Sequence, residues 1–144
     1  MLSLLKKLAE KGIAMTRQFE NRDMMQATVA GSVLVAFADG DCSDAEVLAL
    51  HTVIEANPSL SKFGSEVGKT LDNYIAQMKA SKTLGRVKLM REIKDVKASP
   101  SECEEVFAVM VTIAEADGEV SPPERKVLGD VARELNLKPA DFGL

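Results

Sequence analysis

One nine-residue pattern occurs twice in this chain of 144 residues, as ADGDCSDAE at 38–46 and as ADGEVSPPE at 116–124. Both copies read Ala-Asp-Gly-acid-x-Ser-x-x-Glu and lie 78 positions apart. Asp-Gly ends a helix, because glycine adopts the left-handed backbone conformation that other residues resist. Ser-x-x-Glu starts the next one: the hydroxyl accepts from the amide three residues on, and the carboxylate reaches back to the serine amide. Each copy is thus a joint between two helices. The same offset aligns Val33 with Val111, Val35 with Ile113 and Ala36 with Ala114, so the repeat extends into the apolar helix before each joint. A period this long does not suit a solenoid. It predicts two pseudo-equivalent helical hairpins packed in one bundle, with both acidic loops on one side.

Helical spacing continues through the rest of the chain. Residues from about 23 to 39 are apolar on nearly every face, which places that helix at the centre; FAVMVTIA at 107–114 forms a second apolar centre. A helix capped by Ser43 and Glu46 turns Val47, Leu50, Val53 and Ile54 inward and stops before Asn57-Pro58. Residues 58–64 read as a loop. Val67, Leu71, Ile75 and Met78 mark the next helix, and after a break at 80–82, Leu84, Val87, Met90 and Ile93 mark another. Ser99-Pro100-Ser101-Glu102 and Ser121-Pro122-Pro123-Glu124 are two further helix starts, the last leading into Val127, Leu128, Val131 and Leu135. The tail from Lys138 has room for a turn of helix at most. Leu4, Leu5 and Leu8 share a helical face near the N-terminus, either docked on the core or forming a weak membrane-surface or partner-binding helix. The expectation is an all-α fold: a single compact bundle of about seven helices in one domain over residues 1–144, with 1–22 as an N-terminal helical segment.

Composition removes several classes of function. A net charge of −4 with scattered lysines argues against nucleic acid, whose phosphates need a clustered positive surface. The longest apolar run, residues 24–38, is 15 residues and includes Gln26, Thr28 and Ser32, short of the ~20 that span a bilayer. The N-terminal lysines follow the leucines instead of preceding them, unlike a signal peptide. Cys42 and Cys103 make neither a CxxC nor a secreted framework, so reduced thiols in a cytoplasmic protein are expected. Cys42 aligns with Val120 in the other repeat, which reads as a small apolar plug. His51 stands four residues before Glu55, and a helix-surface pair accounts for it. No nucleophile elbow, phosphate-cradling loop or HExxH is present, and no enzyme is expected.

The acidic loops carry the functional question. Asp39 and Asp117 fall where a helix ends, facing the negative end of its dipole, an unfavourable placement by ~0.3–1 kcal/mol. An acid there in both copies asks for a compensating partner. Turn chemistry explains much of the pattern, since Asp before Gly accepts from a nearby amide and Glu46 and Glu124 serve as caps. The sharper reading is a divalent cation held by oxygens of both loops: Asp39, Asp41, Asp117 and Glu119 first, with Glu46 and Glu124 as further ligands. Hard oxygen donors suit calcium or magnesium, with manganese behind them. The glycine directly after the first Asp, and the lack of a twelve-residue loop, separate the pattern from an EF-hand.

From about residue 24 onward, the segments ATVAGSVLVAFADGDCSDAE and VTIAEADGEVSPPERKVLGDVARELNL and the ending KPADFGL closely resemble the TerB family of tellurite-resistance proteins. The resemblance implies an all-helical domain with a clustered acidic surface, acting in bacterial tellurium and stress response beside membrane-embedded and calcium-binding partners. Carried to this chain, that surface comprises Asp39, Asp41, Glu46, Asp117, Glu119 and Glu124. It implies no reaction. Two function classes follow: a cation-binding stress-response protein, or a metal-independent adaptor docking a basic or membrane-embedded partner through the same acidic face. The expected location is the cytoplasm, peripheral to the inner membrane through such partners.

Overall fold

The structure, a computed structural model, describes residues 21–116 and 118–144. The described residues form six α-helices: α1 (Arg22–Ala36), α2 (Asp44–Glu55), α3 (Ser65–Ala80), α4 (Lys82–Lys94), α5 (Pro100–Glu115) and α6 (Pro122–Leu135). Two 3-10 helices, Pro58–Phe63 and Pro139–Phe142, complete the order, and no strand occurs among the described residues. The fold is all-α, as the periodicity predicts. The expected helix over Leu4–Leu8 lies outside the described residues.

α1 begins where the Asn21 side chain accepts from the Met24 amide at 2.8 Å. Every residue from Ala27 to Phe37 is buried, so beyond its first turn the helix has no solvent face. It packs against all five other α-helices, with α4 and α5 as its main neighbours. Burying a Val, Leu or Met side chain contributes ~1.5–3 kcal/mol, so a helix of this composition is held by its neighbours, not by propensity. α5 is the second apolar centre: Val106, Phe107, Val109, Met110, Val111, Ile113 and Ala114 are all buried. α1 and α5 meet closely at Gly31, where a Cβ would stand 2.6 Å from Met110 Sδ and 2.7 Å from its Cγ. The tail turn docks as expected, with Phe142 edge-on to Phe107 at 4.8 Å between ring centroids.

Two segments and one helix face differ from the sequence reading. α1 ends at Ala36 with Phe37 as its cap, not at Asp39, because Ala38 and Gly40 donate back to Val35 and Phe37 in tight turns. Residues 58–63 are 3-10 helix, not loop: Asn57 accepts from the Ser59 amide, Pro58 presets the first backbone angle, and buried Leu60 anchors the turn. On α4, Leu84 and Val87 are exposed. Ile93 is buried as the spacing predicts, but the inward stripe reaches it through Gly85 and Leu89, because Gly85 lets α4 press against the end of α3.

The Gly85 contact yields a paired prediction. A Cβ there would lie 2.9 Å from the Gln77 carbonyl oxygen and 3.0 Å from Met78 Cα, backbone atoms that cannot swing away. Gly129, inside α6, has nothing within 4 Å. Gly85→Ala is expected to destabilise by ~1–3 kcal/mol despite better helix propensity, whereas Gly129→Ala stabilises by ~0.5–1 kcal/mol. Urea unfolding midpoints moving in the same direction for both would contradict the helix contact.

Candidate functional site

At their described residues the two repeated joints have matching backbone. Gly40 and Gly118 both sit at φ +104°, a conformation open to glycine and strained for other residues. Each donates its amide three residues back at 2.9 Å, Gly40 to Phe37 and Gly118 to Glu115. Each joint then opens a helix with a complete capping box. At the first, the Glu46 amide donates to Ser43 Oγ at 3.2 Å and the Ser43 amide to Glu46 Oε1 at 3.3 Å. At the second, Glu124 and Ser121 make the same pair at 3.3 and 2.8 Å. At the α5 start, Ser99 Oγ accepts from the Glu102 amide at 3.4 Å, without a complete box.

The acids of the first loop are exposed and locally engaged. Asp39 Oδ1 accepts from the Asp41 amide at 3.3 Å, the turn chemistry expected of Asp before Gly. Asp41 Oδ1 accepts from the Cys42 amide at 2.9 Å. The α3–α4 junction brings positive charge to the first loop, at Asp44 and beside Gly40. Lys79 Nζ lies 3.9 Å from Asp44 Oδ1, and Lys82 Nζ would stand 3.6 Å from a Cβ at Gly40. Sequence reasoning missed both lysines, which lie some forty positions away along the chain. In the second loop Glu119 is exposed and Glu124 half-buried, and a Cβ at Gly118 would meet nothing within 4 Å. Asp117 lies outside the described residues.

In the first loop, therefore, turn and capping bonds engage Asp39, Asp41 and Glu46, and in the second the capping box engages Glu124. Between the loops, no hydrogen bond or ion pair is formed among the described residues. Among the described residues no three His, Cys, Asp or Glu side chains converge to hold a metal ion. His51 does more than pair with Glu55 at 3.4 Å: its Nε2 meets Asp72 Oδ1 at 2.6 Å, tying α2 to α3.

Cys42 is buried, and its partner position Val120 is partly buried against the same core. Burial pushes the Cys42 thiol up to about 11; Glu46, Asp39 and Asp41 add to the rise and Lys79 opposes it. Cys103 is raised as well, chiefly by burial, and its Sγ–H donates to the Val96 carbonyl at 3.3 Å. Neither thiol supplies a nucleophilic thiolate at neutral pH. The plug reading stands.

A bundle with two apolar helices, each leading through an Asp-Gly joint into a capped helix, defines a class of small helical domain recognisable by that doubled joint. The model of the tellurite resistance protein TerB family matches residues 25–144, and the chain belongs to that family. No curated protein and no solved structure shows significant similarity to it. No helix among the described residues is long and apolar enough to cross a membrane.

The raised Cys42 thiol gives a pH prediction. Its folded pKa lies above the ordinary 9.0, so the folded state holds the proton more tightly than the unfolded state. That share of stability is complete below pH 9 and declines as pH rises toward about 11. Wild type is expected to lose roughly 2–3 kcal/mol more than Cys42→Val across that interval, with both equally folded at pH 7. Parallel stability–pH curves for the two proteins would remove the assignment.

Proposed function

We propose that this chain is a non-catalytic member of a bacterial tellurite-resistance and stress-response system that works by presenting its two acidic loops to a cationic ligand. One observation carries the reading: the same glycine-hinged, Ser-Glu-capped joint is built twice, and each copy holds an exposed acid directly after the hinge, Asp41 and Glu119. A capping box needs only Ser and Glu. The acid after each glycine is surplus to that box and stays exposed at the surface.

Docking of a basic or membrane-embedded partner is the reading these side chains favour. Asp39, Asp41, Glu46 and Glu124 each have an oxygen already committed to a local bond, an arrangement that suits separate charge contacts better than a shared coordination shell. Other proteins of the same tellurite-resistance system are the expected partners, with the chain in the cytoplasm at the periphery of the inner membrane. A second reading rests on the repetition itself: oxygens of Asp39, Asp41, Asp117 and Glu119, with Glu46 and Glu124, jointly hold calcium or magnesium, or manganese less well.

Thermal melts of chelator-treated protein separate the two. Docking predicts a melting temperature unmoved by calcium, magnesium or manganese. It also predicts that Asp39→Asn and Asp117→Asn are neutral or slightly stabilising. A bound ion contributes ~2.7 kcal/mol at a hundredfold excess over its dissociation constant. A rise of that size in wild type, reduced in either single variant and little further in the double, would replace docking with the shared cation site.

A further inference from the structure

Helix α4 turns two aliphatic side chains and a row of cations to solvent. Its inward side is Gly85, Leu89 and Ile93. On the opposite side Leu84, Val87, Lys88, Arg91 and Lys94 share one helical stripe, and all five are exposed. Two of the three exposed large hydrophobic side chains among the described residues stand on it, Leu84 at 61% and Val87 at 46% exposure.

Positive charge is concentrated on the same helix. From Lys82 to Lys97 six cations stand against two acids, Glu92 and Asp95, in a chain whose net charge is −4. Lys82 lies beside the first acidic loop, and Lys94 pairs with Glu134 at 3.4 Å. Arg86, Lys88, Arg91 and Lys97 are exposed and make no ion pair among the described residues. Glu92 is half-buried and Asp95 is the C-cap, so no carboxylate interrupts the stripe between Leu84 and Arg91. Uncompensated like charges along one helix repel, and an anionic surface relieves that repulsion.

We infer that the outward face of α4 lies on an anionic lipid bilayer, with Leu84 and Val87 between the headgroups and Lys88 and Arg91 on the phosphates. Charge complementarity selects an anionic occupant, and the aliphatic pair selects a bilayer among anions. An acidic protein would have to supply a shaped socket for Leu84 and Val87, whereas a bilayer offers apolar depth at any point. Nucleic acid calls for aromatic side chains that stack on bases, and residues 82–97 contain none. Lys88 and Arg91 stand one turn beyond Leu84 and Val87, so their stems extend the apolar strip while their charged ends reach the headgroups. This contact is direct and needs no membrane-embedded partner. It is separate from the acidic loops of the proposed function, and the two stand or fall independently.

Co-sedimentation of the full chain with phosphatidylcholine vesicles, with and without phosphatidylglycerol, tests it. Wild type is expected to bind only the vesicles that contain phosphatidylglycerol, and less as salt rises. Lys88→Glu/Arg91→Glu is expected to lower that partitioning about tenfold or more. A second measurement does not depend on that variant folding. The chain contains no Trp, so Leu84→Trp places a single reporter on the face. Leu48→Trp, at an exposed position on α2, is its control. On anionic vesicles the emission of Leu84→Trp is expected to shift to the blue and that of Leu48→Trp to stay unmoved. A wild type that ignores anionic vesicles overturns the proposal, as does binding indifferent to the charge reversal or an equal response at the two reporter positions. Binding to polyglutamate or duplex DNA in place of the vesicles assigns the face to another polyanion and likewise overturns it.

Discussion

The enclosure of α1 is the constraint on which the rest of the molecule depends. A helix apolar on all sides cannot be stabilised by one neighbour, since any uncovered face leaves Val, Leu and Met in water. α2 to α6 are therefore arranged around it, and each needs only one apolar stripe. A close approach is made with α5 at Gly31, where the missing side chain is replaced by Met110. The two apolar halves of the repeat thus pack on each other. Their acidic joints follow at the C-terminal ends of the two core helices.

This arrangement makes the acidic loops inexpensive to maintain. Capping boxes satisfy the first amides of α2 and α6, and Asp39 and Asp41 bond to amides within their own turn. Carboxylates bonded in this way hold the joint in shape while remaining at the surface. Lys79 and Lys82 then offset part of the first loop's charge from an element remote in sequence. The second loop contains two prolines at the start of its helix, which fix the entry, and its described residues make no such contact. Charge and architecture are thus coupled at the first joint, whereas prolines set the entry of the second.

Much of this was legible beforehand because helix caps and apolar spacing are local signals. Val67, Leu71, Ile75 and Met78 are all buried at the predicted spacing, and both Ser-Glu boxes form as read. α4 was legible as a helix but not in its orientation. Leu84 and Val87 share the apolar spacing of Met90 and Ile93, and hydropathy alone turns them inward. The α3–α4 contact through Gly85 rotates them out, because glycine is the one residue on that helix that admits the Gln77 carbonyl so closely. Nor does composition reveal the 3-10 turn at Pro58–Phe63, whose order comes from Leu60 buried under α1, α2 and α3.

By itself, then, the sequence determined the helices, the central place of α1 and α5, the two glycine-hinged joints and the membership of the acids in them. These follow from hydrogen bonds and apolar patterns that span a few residues. Only the tertiary structure decided which side chains face one another across the bundle. It brought Lys79 and Lys82 to the first acidic loop, bridged α2 to α3 through His51 and Asp72, and turned Leu84 and Val87 outward on α4. Those juxtapositions depend on the rotation and register of packed helices. Rotation and register are set by the fit of side chains such as Met110 into gaps such as Gly31, and no single segment contains both halves of that fit.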